Sequence, residues 1–120
     1  MLSPRRRSRR PGAALERHVA SVLSGQLTRN SGAQDLDGDV RVEDIAIECK
    51  YTVHPGNYIL KNVVYEEHNR DCARRGLTPV WALQRADQTV VCIMRLQDFA
   101  DMLSTIKSMA DTIRRYESEE

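Results

Sequence analysis

Apolar positions change their period several times along this 120-residue chain, and each change marks an expected element. From Ala13 to about Ser24, the residues Ala14, Leu15, Val19, Val22 and Leu23 recur at helical spacing, and Gly25 ends the run. A short extended piece, Gln26 to Asn30, leads through Ser31-Gly32-Ala33 into the acidic turn Asp35-Leu36-Asp37-Gly38. Residues 39 to 43 then alternate at period two, as a strand does. Residues 45 to 51 form a second strand, with Ile45, Ile47, Cys49 and Tyr51 on one face and Ala46, Glu48 and Lys50 on the other. Glu43-Asp44 between them completes a hairpin.

Pro55-Gly56 interrupts the chain. Residues 57 to 75 predict a helix that buries Ile59, Leu60, Val63, Val64 and Cys72 and is capped by Gly76. Strands follow at Pro79 to Leu83 and Thr89 to Met94, with a turn at Ala86-Asp87-Gln88. A last helix runs from about Gln97 to Tyr116. Phe99, Ile106 and Ile113 occupy one heptad position in it, and Met102, Met109 and Tyr116 the other. The first half of that seam is expected on the chain's own sheet and the second half on another subunit, which makes a homodimer the expected assembly. The order predicts one α/β domain, a mixed central sheet flanked by helices with a C-terminal helix.

Composition adds little until charge is divided along the chain. Hydrophobic residues at 41% and charged residues at 29% are ordinary for a soluble domain, and no apolar run is long enough to span a membrane. The basic N-terminus lacks the apolar stretch of a secretory signal. The net charge of +1 hides an asymmetry, because Arg5, Arg6, Arg7, Arg9 and Arg10 give residues 1–12 a charge of +5 and leave the body at −4. A disordered basic arm of this kind suits the phosphates of nucleic acid, though it would also serve as a solubilising or localisation tail. Cys49, Cys72 and Cys92 form neither a disulfide framework nor a zinc pattern, which predicts a reducing, cytoplasmic setting.

The chemistry concentrates on the hairpin. Glu48 and Lys50, two apart on a strand, share a face. By spacing alone they would be a solvated edge. Asp39 opens the neighbouring strand and lies across from the Glu48 end, where two carboxylates repel unless a cation separates them. A pair of carboxylates with water and substrate oxygens suits magnesium, and Lys50 beside them can stabilise phosphate charge or position the attacking water. Asp35, Asp37 and Asp39 resemble the start of a calcium loop. Val40 stands where its glycine belongs and Ala46 where its glutamate belongs, so an EF-hand is excluded.

Asp39 followed by Glu48-Cys49-Lys50 resembles the D…(E/D)xK signature of the PD-(D/E)xK nuclease superfamily. The likeness extends to the archaeal-type Holliday junction resolvases and their bacteriophage relatives. It is carried by Glu16-Arg17 on the first helix, by Arg29 and Ser31-Gly32 ahead of the acidic strand, and by the apolar-Glu-x-Lys strand. It covers roughly residues 13 to 99. Gly38 replaces the proline that names the superfamily. The resemblance implies a restriction-endonuclease-like core. It implies Asp39, Glu48, the Cys49 backbone carbonyl and Glu16 as ligands for magnesium, with manganese as a substitute, and Lys50 as the catalytic lysine. Ser31 would contact phosphate or scaffold the site. Arg29 and Ser31 would join the basic arm on DNA. The implied activity is endonucleolytic resolution of four-way or other branched DNA, leaving 5′-phosphates, in the cytoplasm of a host cell if the chain is phage-encoded.

Two other readings stand beside it. The first is a restriction-type, nicking or repair endonuclease of the same fold, although 120 residues leave no room for a separate target-recognition domain. The second is an inactive DNA-binding module. His18, His54 and His68 are expected at the surface, and Trp81 in the core. Arg70, Arg74 and Arg75, with Lys61, form either a solvated face or a phosphate track.

Overall fold

The computed structural model describes residues 11–28, 39–52 and 59–119. The basic arm, the loop holding Arg29, Ser31 and Gly32, the acidic turn at 35–38, and His54 with Pro55-Gly56 lie outside the described residues. Helices α1 (Pro11–Leu23), α2 (Asn62–Arg75) and α3 (Leu96–Ser118) accompany strands β1 (Gln26–Leu27), β2 (Val40–Val42), β3 (Ile45–Tyr51), β4 (Thr78–Gln84) and β5 (Val90–Met94). The strands form one mixed sheet in the order β1-β2-β3-β4-β5. Only the β3–β4 pair is parallel, and α2 makes the crossover that such a pair requires. The α/β domain expected from periodicity is therefore present. Among the described residues no helix is long and apolar enough to cross a membrane.

Period-two alternation assigns the two sheet faces to different helices. Leu15, Val19 and Ala20 of α1 pack on Val40, Ile47, Cys49, Val80 and Ala82. The opposite face holds Ala46, Trp81 and Leu83, all fully buried. There α2 lays Tyr65 flat on Trp81, with ring centroids 4.8 Å apart, and sets His68 edge-on to the same indole at 5.4 Å. Trp81 is the core residue the sequence predicts. His68 is not the surface residue it predicts. It is buried, and its Nε2–H donates to the Ala46 carbonyl at 2.9 Å. A histidine so placed satisfies a polar group within an apolar layer, at little cost because the hydrogen bond is made. His18 is exposed, as expected.

Helix boundaries and buried stripes depart from the sequence reading in several places. α1 begins at Pro11 rather than Ala13, since proline's fixed φ and missing N–H are tolerated in a first turn. Of its expected apolar stripe Leu15 and Val19 are buried, whereas Ala14, Val22 and Leu23 are exposed. α2 begins at Asn62, because residues 59–61 are not helical. Ile59 and Val63 are consequently exposed, and His68 and Cys72 form the buried side. Gly76 ends α2 in the left-handed region at φ 69, with its N–H on the Cys72 carbonyl, as expected. α3 extends one residue earlier and two later than expected, and none of its residues is buried.

The α1–β1 corner fixes how the first helix meets the hairpin. Ser24, not Gly25, takes the left-handed conformation (φ 54). Gly25 serves close approach instead: a Cβ there would lie 2.7 Å from Val42 Cγ2 and 2.9 Å from Val40 Cγ1. Both valines are stiff at χ1 and fixed in β2, so neither methyl can retreat cheaply. Gly25→Ala is expected to lower unfolding free energy by about 1–3 kcal/mol through this overpacking. Urea denaturation followed by far-UV circular dichroism measures it, and an unchanged midpoint would contradict the account.

Candidate active site

The β2–β3 hairpin builds the site. Its two-residue turn, Glu43-Asp44, places Glu43 at φ 53 and sets the register Val40↔Ile47, Arg41↔Ala46 and Val42↔Ile45. The register ends there, and the next amide, Asp39 N–H, donates to the Ile47 carbonyl at 2.9 Å, which sets Asp39 at the open end of the hairpin beside β3. Val40 and Ile47 point into the α1 core, so Glu48, next to Ile47 on β3, points to the α2 face. Lys50 lies on the same face, its Nζ 3.4 Å from Glu48 Oε1. Glu48 and Lys50 thus share one surface, and Asp39 is near enough for the charge of Glu48 to act on its carboxyl.

Asp39 is tied to β3 by its side chain as well. Its Oδ2 accepts the Cys49 N–H at 2.8 Å, replacing the ladder bond that β2 is too short to supply. Alternation turns the N–H and carbonyl of Cys49 toward this same β2 side, while its thiol enters the α1 core. Burial, followed by the negative charges of Asp39, Glu16 and Glu48, pushes that thiol far above its ordinary range. A metal ion here would meet the backbone oxygen of Cys49 and not its sulfur.

Electrostatics reveals the third carboxylate. The carboxyl of Asp39 is raised from 3.8 to about 7, first by burial, then by the charge of Glu48. The Cys49 hydrogen bond opposes the rise, Glu16 adds to it, and Lys50 reduces it slightly. Glu16, half-buried on α1 beside the core residue Leu15, is therefore close enough to be felt across the hairpin edge. Among the described residues no three acidic, cysteine or histidine side chains stand as a group that could hold a metal ion. The donor set is nonetheless all oxygen, with excess negative charge and a strained proton balance. It fits a hard divalent cation that retains several waters.

The remaining expectations divide. Asp39 meets Cys49, Lys50 meets Glu48, and Glu16 acts on Asp39 through its charge. Arg29, Ser31 and the five arm arginines lie outside the described residues. Arg70, Arg74 and Arg75 are exposed on α2, and Arg74 pairs with Asp71. Lys61 instead reaches the site's margin, sharing with Lys50, Thr52 and Val64 a pocket at the mouth of β3. Sequence reasoning missed His68 and Tyr65, which wall the Glu48 side through Trp81, the β4 partner of Glu48. The i, i+3, i+7 spacing of Tyr65, His68 and Cys72 was the available signal. No family model, curated protein or solved structure matches the chain.

A carboxyl that titrates near 7 when folded and near 3.8 when unfolded binds its proton more tightly in the folded chain. Its contribution to stability is fully present below the unfolded value and is lost as pH rises toward 7. Asparagine keeps an oxygen for the Cys49 N–H without the charge. In chelator, Asp39→Asn is therefore expected to stabilise the protein at pH 8 by roughly 2 kcal/mol after allowance for solvent screening, and hardly at all at pH 4. Thermal melts at the two pH values check this. A variant less stable than the parent at pH 8, or equally stabilised at both, would contradict the charge assignment.

Proposed function

We propose that this protein is a divalent-metal-dependent endonuclease that cuts branched DNA, with four-way junctions as its substrate class, on a restriction-endonuclease-like core. The observation that carries the reading is the Asp39–Glu48–Lys50 surface. Asp39 and Glu48 feel each other's charge at the open end of the hairpin, an ammonium stands beside Glu48, and the charge of Glu16 on α1 reaches Asp39. That arrangement supports the D…ExK reading of Asp39, Glu48 and Lys50.

Asp39, Glu48, the Cys49 carbonyl and Glu16 would hold magnesium, or manganese in its place. Bound there, the ion would supply Lewis-acid stabilisation of the phosphoryl oxygens and make a coordinated water more acidic. The chain's own residues do the rest. Cys49 N–H holds the Asp39 carboxylate through Oδ2. Trp81, packed under Tyr65 and His68, closes one side of Glu48 to water. Lys50, nearly half exposed, can leave Glu48 for the scissile phosphate and stabilise the charge that builds on it. Lys61 offers a second ammonium to the adjoining backbone. Hydrolysis joins water to phosphorus, breaks the bond to the 3′ oxygen, and leaves a 5′-phosphate and a 3′-hydroxyl.

The test is cleavage of a synthetic four-way junction and a matched linear duplex, with magnesium, manganese, calcium or chelator. Magnesium-dependent cutting of the junction in preference to the duplex is expected. Lys50→Ala and Asp39→Ala are expected to lose on the order of 100-fold or more in rate while still folding. No cleavage with any divalent ion, or full activity in both variants, would overturn the proposal. Equal cutting of both substrates would retain the chemistry and replace the junction with general duplex DNA.

A further inference from the structure

The C-terminal helix carries an apolar stripe that the chain itself leaves open. Phe99, Met102, Ile106, Met109, Ile113 and Tyr116 lie along one side of α3, each between 36% and 68% exposed. Phe99 and Met102 border an apolar groove that continues over Ile45, Val80 and Met94 of the sheet. The first half of the seam was expected on this sheet, but it only flanks the groove, with neither residue buried. A helix about 35 Å long with so much apolar surface in water calls for a covering partner.

Spacing identifies that partner. The stripe is symmetric about the point between Lys107 and Ser108. Run antiparallel to a second copy, Phe99 meets Tyr116, Met102 meets Ile113 and Ile106 meets Met109, each pair occurring twice. All six positions are used, and none faces an empty site. Beside the seam, Leu103 falls opposite the small Ala110. Parallel pairing would instead set Leu103 beside Asp98 of the second copy. Asp101, Lys107, Asp111, Arg114 and Arg115 fall at heptad positions away from the seam and leave it apolar. With Leu96 and Leu103, eight exposed apolar side chains at roughly 100 Å² each offer on the order of 800 Å² per copy, the size of a standard stable interface.

We propose that this stripe binds a second copy of the chain, with the two α3 helices antiparallel about a two-fold axis between Lys107 and Ser108. The contact is isologous, so it closes at two copies. It also brings Ile113 and Tyr116 of the second copy to the rim of the apolar groove. The pairing does not depend on metal or DNA.

Sedimentation equilibrium of the full chain should give twice the 13.7 kDa of one chain at micromolar concentration. Ile106→Asp and Met109→Lys should each yield monomer with an unchanged circular dichroism spectrum of the sheet, since both positions are exposed. Orientation is read by oxidative cross-linking in a Cys92→Ser background. A mixture of Phe99→Cys and Tyr116→Cys chains should cross-link, and Phe99→Cys alone should not. Monomer at all concentrations overturns the proposal and leaves the stripe to a different protein. A dimer that survives both charged variants, or a Phe99→Cys chain that cross-links to itself, overturns it as well.

Discussion

The register of one short hairpin governs this molecule. Val40 opposite Ile47 is set by a two-residue turn whose Glu43 accepts a left-handed backbone, and everything chemical follows from it. Side chains alternate with period two, so a slip of one residue on β3 would take Ile47 out of the α1 core and turn Glu48 into it. The slip is prevented from both sides. Val40 is fully buried against Leu15 and Val19, and Gly25 lets α1 approach close enough to keep it so. The Cys49 N–H then holds the Asp39 carboxylate from the backbone.

Holding that register gathers negative charge where folding alone would not place it. Burial and two neighbouring carboxylates raise the Asp39 carboxyl to about 7, and Lys50 offsets only part of this. A site designed for stability would have an apolar or amide residue at position 39. Strain of this kind is characteristic of functional sites, where a ligand supplies the missing counter-charge. The wall behind Glu48 is built for rigidity instead. Tyr65, Trp81 and His68 interlock, and the His68–Ala46 hydrogen bond ties α2 to β3 two residues before Glu48.

Local patterns made the hairpin legible in the sequence. Alternation gave β3 its bounds, Glu43-Asp44 gave the turn, and two-residue spacing put Glu48 and Lys50 on one face. Asp39 needed only the hairpin to find Glu48. Long-range packing was not legible. Ile59 and Val63 look like core residues by hydropathy, yet they precede or face away from the part of α2 that meets the sheet. His68 looks like a surface histidine, because nothing local announces that Ala46 offers it a carbonyl. The seam of α3 was visible as a pattern. Its exposure was not, because whether an amphipathic face is covered by its own sheet depends on where β5 directs the helix.

The central claim is that Asp39, Glu48 and the Cys49 carbonyl form one divalent-cation site. The most direct measurement is a manganese titration followed by amide NMR, since the paramagnetic ion broadens signals close to it whether or not DNA is present. The account predicts that the Asp39 and Cys49 amides broaden first, and that Asp39→Asn removes the effect at those positions. Broadening that starts elsewhere, or that is undiminished in the variant, would contradict it.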